Sequence, residues 1–470
     1  METKKPISRR DFLKMTGRVG LALGLGTGLG GLVGACRTTG EVSSTIATIA
    51  DAQSSPSTTT TVAAEQGREL VIGVVSHKSG PLALFGRADE WWMRFAGSSV
   101  PKGILGGDRR LHPVVFAVED SGSDEAVAAR AATRLVTEAG ADLIVCSGDG
   151  RLVNAVASSA ETLGSPCLSS FHQWRPFVEA GKRAPGGERQ WAFAHAVGLE
   201  DVLAEHLAMW SQVATNKKVG LVLQDDIVGR LWADPDYGAV PVASAEDYEC
   251  HLPGLVSGSD EHDARINGLM EDKCDICCAV MPAQEFTVFR RRCAELGYQP
   301  KVFSAGGQAL LFPQVVEALG LHARNLITES QWQPDWPYAD SITGDTAQML
   351  AEDYMSSTGE MWAPPLAQYA LFEWAADVFG RTADLDDKQA IVDQVRTTRL
   401  STCAGPVDLS GPVEADGLVS GKRPARNVCK APVTGVQWVA RGAFELRPDI
   451  VSNESWPEIA TTGSVQQMVY

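Results

Sequence analysis

The chain is short of positive charge. Its 470 residues carry 41 Lys and Arg against 58 Asp and Glu, a net charge of −17. Wrapping nucleic acid requires clustered basic surface, so that class fits poorly, and an anionic membrane is not held by charge alone. The motifs of phosphate and hydrolytic chemistry are also missing. No GxGxxG joins a strand to a helix, and GxxxxGK followed by Ser or Thr, HExxH and GxSxG do not occur. The glycine-rich run Gly24–Gly31 lies ahead of any strand and cradles no phosphate. His77, His172, His195 and His251 are scattered and set up no Ser/His/Asp order. No enzyme, cofactor or metal is therefore expected. The apolar (44%) and charged (21%) fractions are ordinary for globular proteins and exclude wholesale disorder, collagen and a polytopic membrane protein. The length exceeds what one core supports, so two or three folded units are expected.

Positive charge is concentrated in one place. Residues 1–35 carry +4 and the remaining chain −21. Ser8-Arg9-Arg10-Asp11-Phe12-Leu13-Lys14 resembles the twin-arginine export motif, with Arg9 and Arg10 as its pair. Val19–Ala35 is uncharged but holds seven glycines. It is shorter than the roughly 20 apolar residues of a membrane span and reads as a signal-peptide core. Val33-Gly34-Ala35-Cys36 resembles a lipobox, which implies lipidation of Cys36. The Val three places before Cys36, where Leu is usual, is a mild departure. Residues 1–35 are thus expected to be a twin-arginine lipoprotein signal peptide. Residues 36–68, rich in Ser and Thr and free of aromatics up to Gly67, are expected to form a disordered tether.

From Glu69 onward strand and helix alternate. Leu70–Val75 is a continuous apolar run, as a strand buried on both faces should be. Further strands are expected at 113–118, 142–146, 166–170, 219–223, 248–252, 275–281 and 301–304, and a last at 436–446. Between them lie helices at 124–139, with Asp124 as N-cap and Gly140 as stop, and at 151–163, 201–210, 262–272, 283–296 and 308–319. Two more follow at 343–356 and 366–379, and 325–328 reads as a crossing between units. This alternation predicts α/β architecture: two doubly wound parallel-sheet lobes joined by a three-segment hinge. The expected division is 69–190 plus 328–404 for lobe 1 and 191–327 plus 405–470 for lobe 2.

Ten cysteines less a lipidated Cys36 leave nine. Cys274, Cys277 and Cys278 lack a second ligand pair at metal-site spacing, and alternate strand residues face opposite sides of a sheet, so core packing is expected. Cys403 and Cys429, both in loop-rich sequence, are the first pair to test for a disulfide.

Four segments, in this order, carry a family resemblance: Ser79-Gly80-Pro81-Leu82-Ala83-Leu84-Phe85-Gly86, residues 118–145, Val219–Asp226 and Phe289–Gly307. Together they resemble the type I periplasmic solute-binding proteins, receptors of branched-chain amino acid, amide and urea ABC transporters. The resemblance covers about Leu70–Leu409. It implies ligand held between two lobes by loops at the C-terminal ends of parallel strands, where helix N-termini present free N–H groups. By resemblance the contacts are Ser79 and Gly80, then Ser147, Gly148 and Asp149, then Ser169, Ser170 and Phe171, with Asp226, Met281 and Gly306 from the second lobe. Val228, Met281 and Gly306 stand where amino-acid-binding members often carry aromatic or acidic residues, and Asp149 would repel a carboxylate. An ordinary aliphatic amino acid is therefore in doubt. Trp174, Trp332 and Trp336 could wall an apolar or cationic ligand or simply pack the hinge.

The expected function is an extracytoplasmic receptor, lipid-anchored to a membrane through Cys36, that captures a small polar or amphipathic metabolite and passes it to an ABC permease. A non-transport sensor or envelope-regulatory lipoprotein on the same fold is the alternative. A hydrolase using Asp225 or Asp226 is the remote one.

Overall fold

The computed structural model describes residues 64–183, 187–414, 423–441 and 445–470, all within the unit Val62–Tyr470. The expected export motif, lipobox and tether up to residue 63 lie outside the described residues, but 64–68 are not disordered tether: Glu65–Gln66 pairs as a strand with Arg110 and Leu111, and Arg68 is held 2.9 Å from Asp142. No helix among the described residues is long and apolar enough to cross a membrane.

Two sheets form the scaffold. The first has six parallel strands in the spatial order Val428–Lys430, Ala192–Val197, Cys167–Gln173, Leu143–Ser147, Leu70–Ser76 and Val114–Asp120. The second has five parallel strands, Glu249–His251, Lys218–Leu223, Ile276–Val280, Val302–Gly306 and Ile327–Ser330. The hairpin Thr434–Ala440 and Leu446–Ser452 extends it antiparallel. Helices cover both faces, so the strands are apolar on alternate residues in both directions. Leu70, Ile72 and Val74 enter one core and Val75 another. Cys278 and Cys277 split in the same way between two cores, which is the packing expected of them. The fold is the two-lobed α/β arrangement expected.

Local sequence fixes several helix ends. Asp124 Oδ1 accepts from the Val127 amide at 2.9 Å and starts Glu125–Thr137. Gly164, in the left-handed region, stops Gly150–Leu163. One expectation fails for a local reason. The segment 308–319 is not one helix, because Pro313 has no N–H to donate and sits at the first position of Pro313–Leu319. Gln308, at φ 72°, is left in a turn.

The lobe boundaries also differ from expectation. Ala192–Val197 remains in the first sheet, so the first crossing is at Gly198, beyond 190/191. Ile327–Ser330 pairs in the second sheet, so residues 325–328 are no crossing and the second passage follows Ser330. Val428–Lys430 returns to the first sheet beside Ala192–Val197, which moves the third crossing from 404/405 to about 431–433. Three passages join the sheets, as expected, but each lies later in the chain. At the first and third, the fully buried Lys430 ammonium lies 2.7 Å from Glu200 and also pairs with Asp201. The Trp174 indole donates to Glu200 at 2.9 Å.

The nine described cysteines are all free. Cys403 and Cys429 do not pair: both are free thiols buried in one core, and burial pushes both thiols up, the second to about 12.

Candidate functional site

The C-terminal ends of both sheets open onto a cleft of about 510 Å³. From the first sheet, its wall takes the turn 81–85, the loop 148–151 and the segment 171–176. From the second it takes 224–231, 280–285, 307–308 and Phe312. This is where an α/β sheet leaves helix N-termini and loop side chains free for function.

The loops are held by buried polar groups. His77 sits between the Ser121 hydroxyl and the Ser147 carbonyl, each 2.7 Å from a ring nitrogen, and burial lowers its pKa. Gly148, at φ 95°, passes so close that a Cβ would lie 3.0 Å from the ring. Asp120 gathers the 78–80 turn, accepting from the Lys78 and Ser79 amides and from the Ser79 hydroxyl at 2.6 Å.

The site residues expected from sequence divide into two groups. Gly148, Asp149, Phe171, Asp226 and Met281 line the cleft. The others lie behind it. Ser79 is tied to Asp120, and Gly80 (φ 83°) lies against Ser123. Ser147 offers its carbonyl to His77, and Ser169 bonds the Phe193 carbonyl and His172, both at 3.0 Å. Ser170 faces a separate small cavity beside His195 and Trp374. Gly306 packs on Trp232, whose ring would lie 2.7 Å from a Cβ there. Trp174, Trp332 and Trp336 are buried and absent from the cleft wall, so they pack the hinge region.

Two of the expected helix N-termini are closed by their own side chains, while those of Trp174–Gly181, Ala283–Glu295 and Pro313–Leu319 have no side-chain cap. Asp149 caps Gly150–Leu163 by accepting from the Arg151 amide at 2.8 Å. Asp226 caps Ile227–Trp232, accepting from Val228 and Gly229 at 2.9 and 2.8 Å, and burial raises its pKa. Asp225 pairs outward with Arg230 at 2.7 Å.

Sequence reasoning missed Leu82, Phe85, Gln173, Gln224, Gln308 and Phe312, all on the wall. A positional signal existed for the glutamines. Gln173 ends a strand, Gln224 directly follows one, and Gln308 lies two residues after another, all at carboxyl ends of parallel strands. Gln308 spans the cleft, its side chain donating to the Phe171 carbonyl at 3.0 Å. Its backbone amide donates to Glu329 at 3.1 Å, and Glu329 in turn meets the buried His206 at 3.1 Å. Burial pushes the Glu329 carboxyl up, but the His206 bond and charge outweigh it and leave the pKa below the usual value.

No curated protein matches the sequence. Among solved structures, the chain is similar to a leucine binding protein from Thermotoga maritima MSB8, with TM-score 0.63 and 17% identity over 80% of this chain and 97% of that one. It is also similar to the branched-chain amino acid transporter substrate binding protein of Streptococcus pneumoniae in complex with isoleucine, with TM-score 0.60 and 16% identity over 81% and 99%. A solute binding protein from R. palustris in complex with benzoate gives TM-score 0.59 and 15% identity over 82% and 98%. These likenesses concern the fold. The family model described as "Periplasmic binding protein" matches residues 69–420, most of the chain. With that match, and with two lobes of the type I arrangement around a cleft, this chain belongs to the periplasmic binding protein family.

Proposed function

We propose that this protein is an extracytoplasmic solute receptor that closes its two lobes on a small amphipathic metabolite and presents it to an ABC permease. The observation that carries the reading is the cleft itself. Its wall comes from the strand ends of both sheets, and three chain passages join those sheets, so a ligand touching both sides stabilises the closed form by its differential affinity. Its volume is within the usual range for metabolite sites. The employment of Asp225 in an ion pair and Asp226 in a helix cap favours a receptor over a hydrolase. Of the contacts expected from sequence, Gly148, Asp149, Phe171, Asp226 and Met281 form the ligand wall, while Ser79, Gly80, Ser147, Ser169, Ser170 and Gly306 shape it. Export through Arg9 and Arg10 and lipid attachment at Cys36 complete the reading, and the segment before Ala64 tethers the receptor to its membrane.

Mass spectrometry of metabolite released from the purified protein, with a thermal-shift screen of the same compounds, tests the receptor reading. A co-purifying small molecule that raises the melting temperature is expected, because it binds only the folded state. Failure of every compound to bind would overturn it.

A further inference from the structure

The cleft wall has little to offer a carboxylate. Arg151 is its one basic side chain among the described residues, and that guanidinium is held 3.2 Å from Asp149 and 3.9 Å from Glu125. Three carboxylates share the wall: Asp149, Asp226 and Glu285. His172 does not restore the balance, since burial lowers its pKa to about 4 and leaves it neutral near pH 7. Two of the helix N-termini that open here are already capped by Asp149 and Asp226. Three others have no side-chain cap: Trp174–Gly181; Pro313–Leu319, where Pro313 removes one N–H; and Ala283–Glu295, which carries Glu285 in its first turn, so an anion reaching its amides meets a like charge.

The wall is instead rich in hydrogen-bond acceptors without donors. The side-chain oxygens of Gln173 and Gln224 and one carboxylate oxygen of Glu285 are buried with no hydrogen-bond partner among the described residues. Buried acceptors of this kind are costly to leave unmade and favour a ligand that donates. The rings of Phe85, Phe171 and Phe312 line the same space, and their faces attract cations while their bulk accepts an apolar body.

We propose that the cleft selects a small organic cation, an amine or amidine carried on an apolar body, and discriminates against the matching carboxylate. This rests on the receptor reading and names the ligand class of the same site. The cation's N–H groups would be shared among Gln173, Gln224 and Glu285, with the apolar part against the three phenylalanines.

Two matched pairs of probes test it on the intact protein by calorimetry and thermal shift: benzamidine against benzoate, and leucinamide against leucine. Within each pair the shape is nearly constant and the charge changes. The cation of at least one pair is expected to bind at least tenfold tighter than its carboxylate partner. Glu285→Gln and Gln224→Leu are each expected to weaken that cation about tenfold, with the melting temperature of the unliganded variants as the folding control. If neither cation binds tenfold tighter than its carboxylate partner, the cation assignment is overturned and the receptor reading stands. Cation binding that both substitutions leave unchanged overturns the proposed contacts. If no probe binds and no metabolite co-purifies, the receptor reading falls and the proposal with it.

Discussion

Phe85 meets Phe312 edge to face across the cleft, with ring centroids 5.0 Å apart. The first ring belongs to a turn of lobe 1, the second to the segment that follows Gln308 in lobe 2. Phe85 is buried within a core otherwise made mainly of second-lobe residues, and Gln368 holds its carbonyl at 2.8 Å. The contact describes lobes drawn together. Phe85→Ala removes the aromatic pair, worth about 0.5–1.5 kcal/mol beyond its buried area. The unliganded protein is expected to open, with a larger radius of gyration in solution scattering, and ligand should restore compaction. An unchanged radius and affinity would show that the contact does not govern closure.

The second contact across the cleft is polar. The Gln308 amide donates to the Phe171 carbonyl, and both residues hold positive φ values, 72° and 61°. An intramolecular hydrogen bond contributes about 1 kcal/mol net. Gln308→Ala is therefore expected to weaken ligand binding about fivefold, mainly through faster dissociation, with a change in melting temperature of only a few degrees. Stopped-flow dissociation kinetics check this. A slower association with unchanged dissociation would contradict it.

These contacts bear on what could be read from the chain beforehand. The strands 70–76, 143–147 and 276–280 were legible because burial on both faces writes itself as an unbroken apolar run. The crossings were not. Val428–Lys430 pairs with Ala192–Val197 more than two hundred residues away, and such pairing leaves no local trace. Within the site, Gly148, Asp149, Phe171, Asp226 and Met281 lie where strand ends put them. Ser169 and Ser170 were expected in the same kind of loop, but they lie within a strand that continues to Gln173, which keeps both serines behind the wall. Phe85 and Phe312 come from turns whose path depends on tertiary packing, which leaves no local mark in the sequence.

The hinge carries a buried charge cluster. Lys430 is fully buried against Asp201 and Glu200, joining the first sheet to the helix Leu199–Ser211. Removing one partner of a buried pair costs about 3–5 kcal/mol because the other charge stays behind. Lys430→Met should show a deficit of that order at pH 8. Burial raises the Asp201 pKa to about 7 even though Lys430 pulls it down. Without Lys430 the carboxyl takes up a proton more readily still. The deficit should therefore shrink toward pH 5, where Asp201 is neutral in the folded state. Chemical denaturation at both pH values tests this, and a deficit independent of pH would exclude the charge explanation.

His195 gives the opposite dependence. It is buried on the strand Ala192–Val197, and desolvation lowers its pKa from 6.5 to about 4. Between those values the unfolded chain binds a proton that the folded protein refuses, so stability falls as pH drops from about 6.5 to 4. The shift corresponds to roughly 3 kcal/mol at its lower limit. In the wild type this slope is masked. Asp89 is raised to about 6 and Glu373 to about 7, both chiefly by burial, and each makes stability fall as pH rises through the same window. Asp201, raised to about 7, acts in the same sense as these carboxyls and the buried His172 in the opposite one, so only a difference isolates His195. His195→Gln removes the titrating group while keeping polar atoms near the Pro406 carbonyl that bonds the imidazole. The melting temperature of the variant relative to wild type is expected to improve by several degrees between pH 7.5 and pH 4.5. A constant difference would mean that His195 is protonated inside the fold, and its burial would then have to be offset by a carboxylate close to the ring.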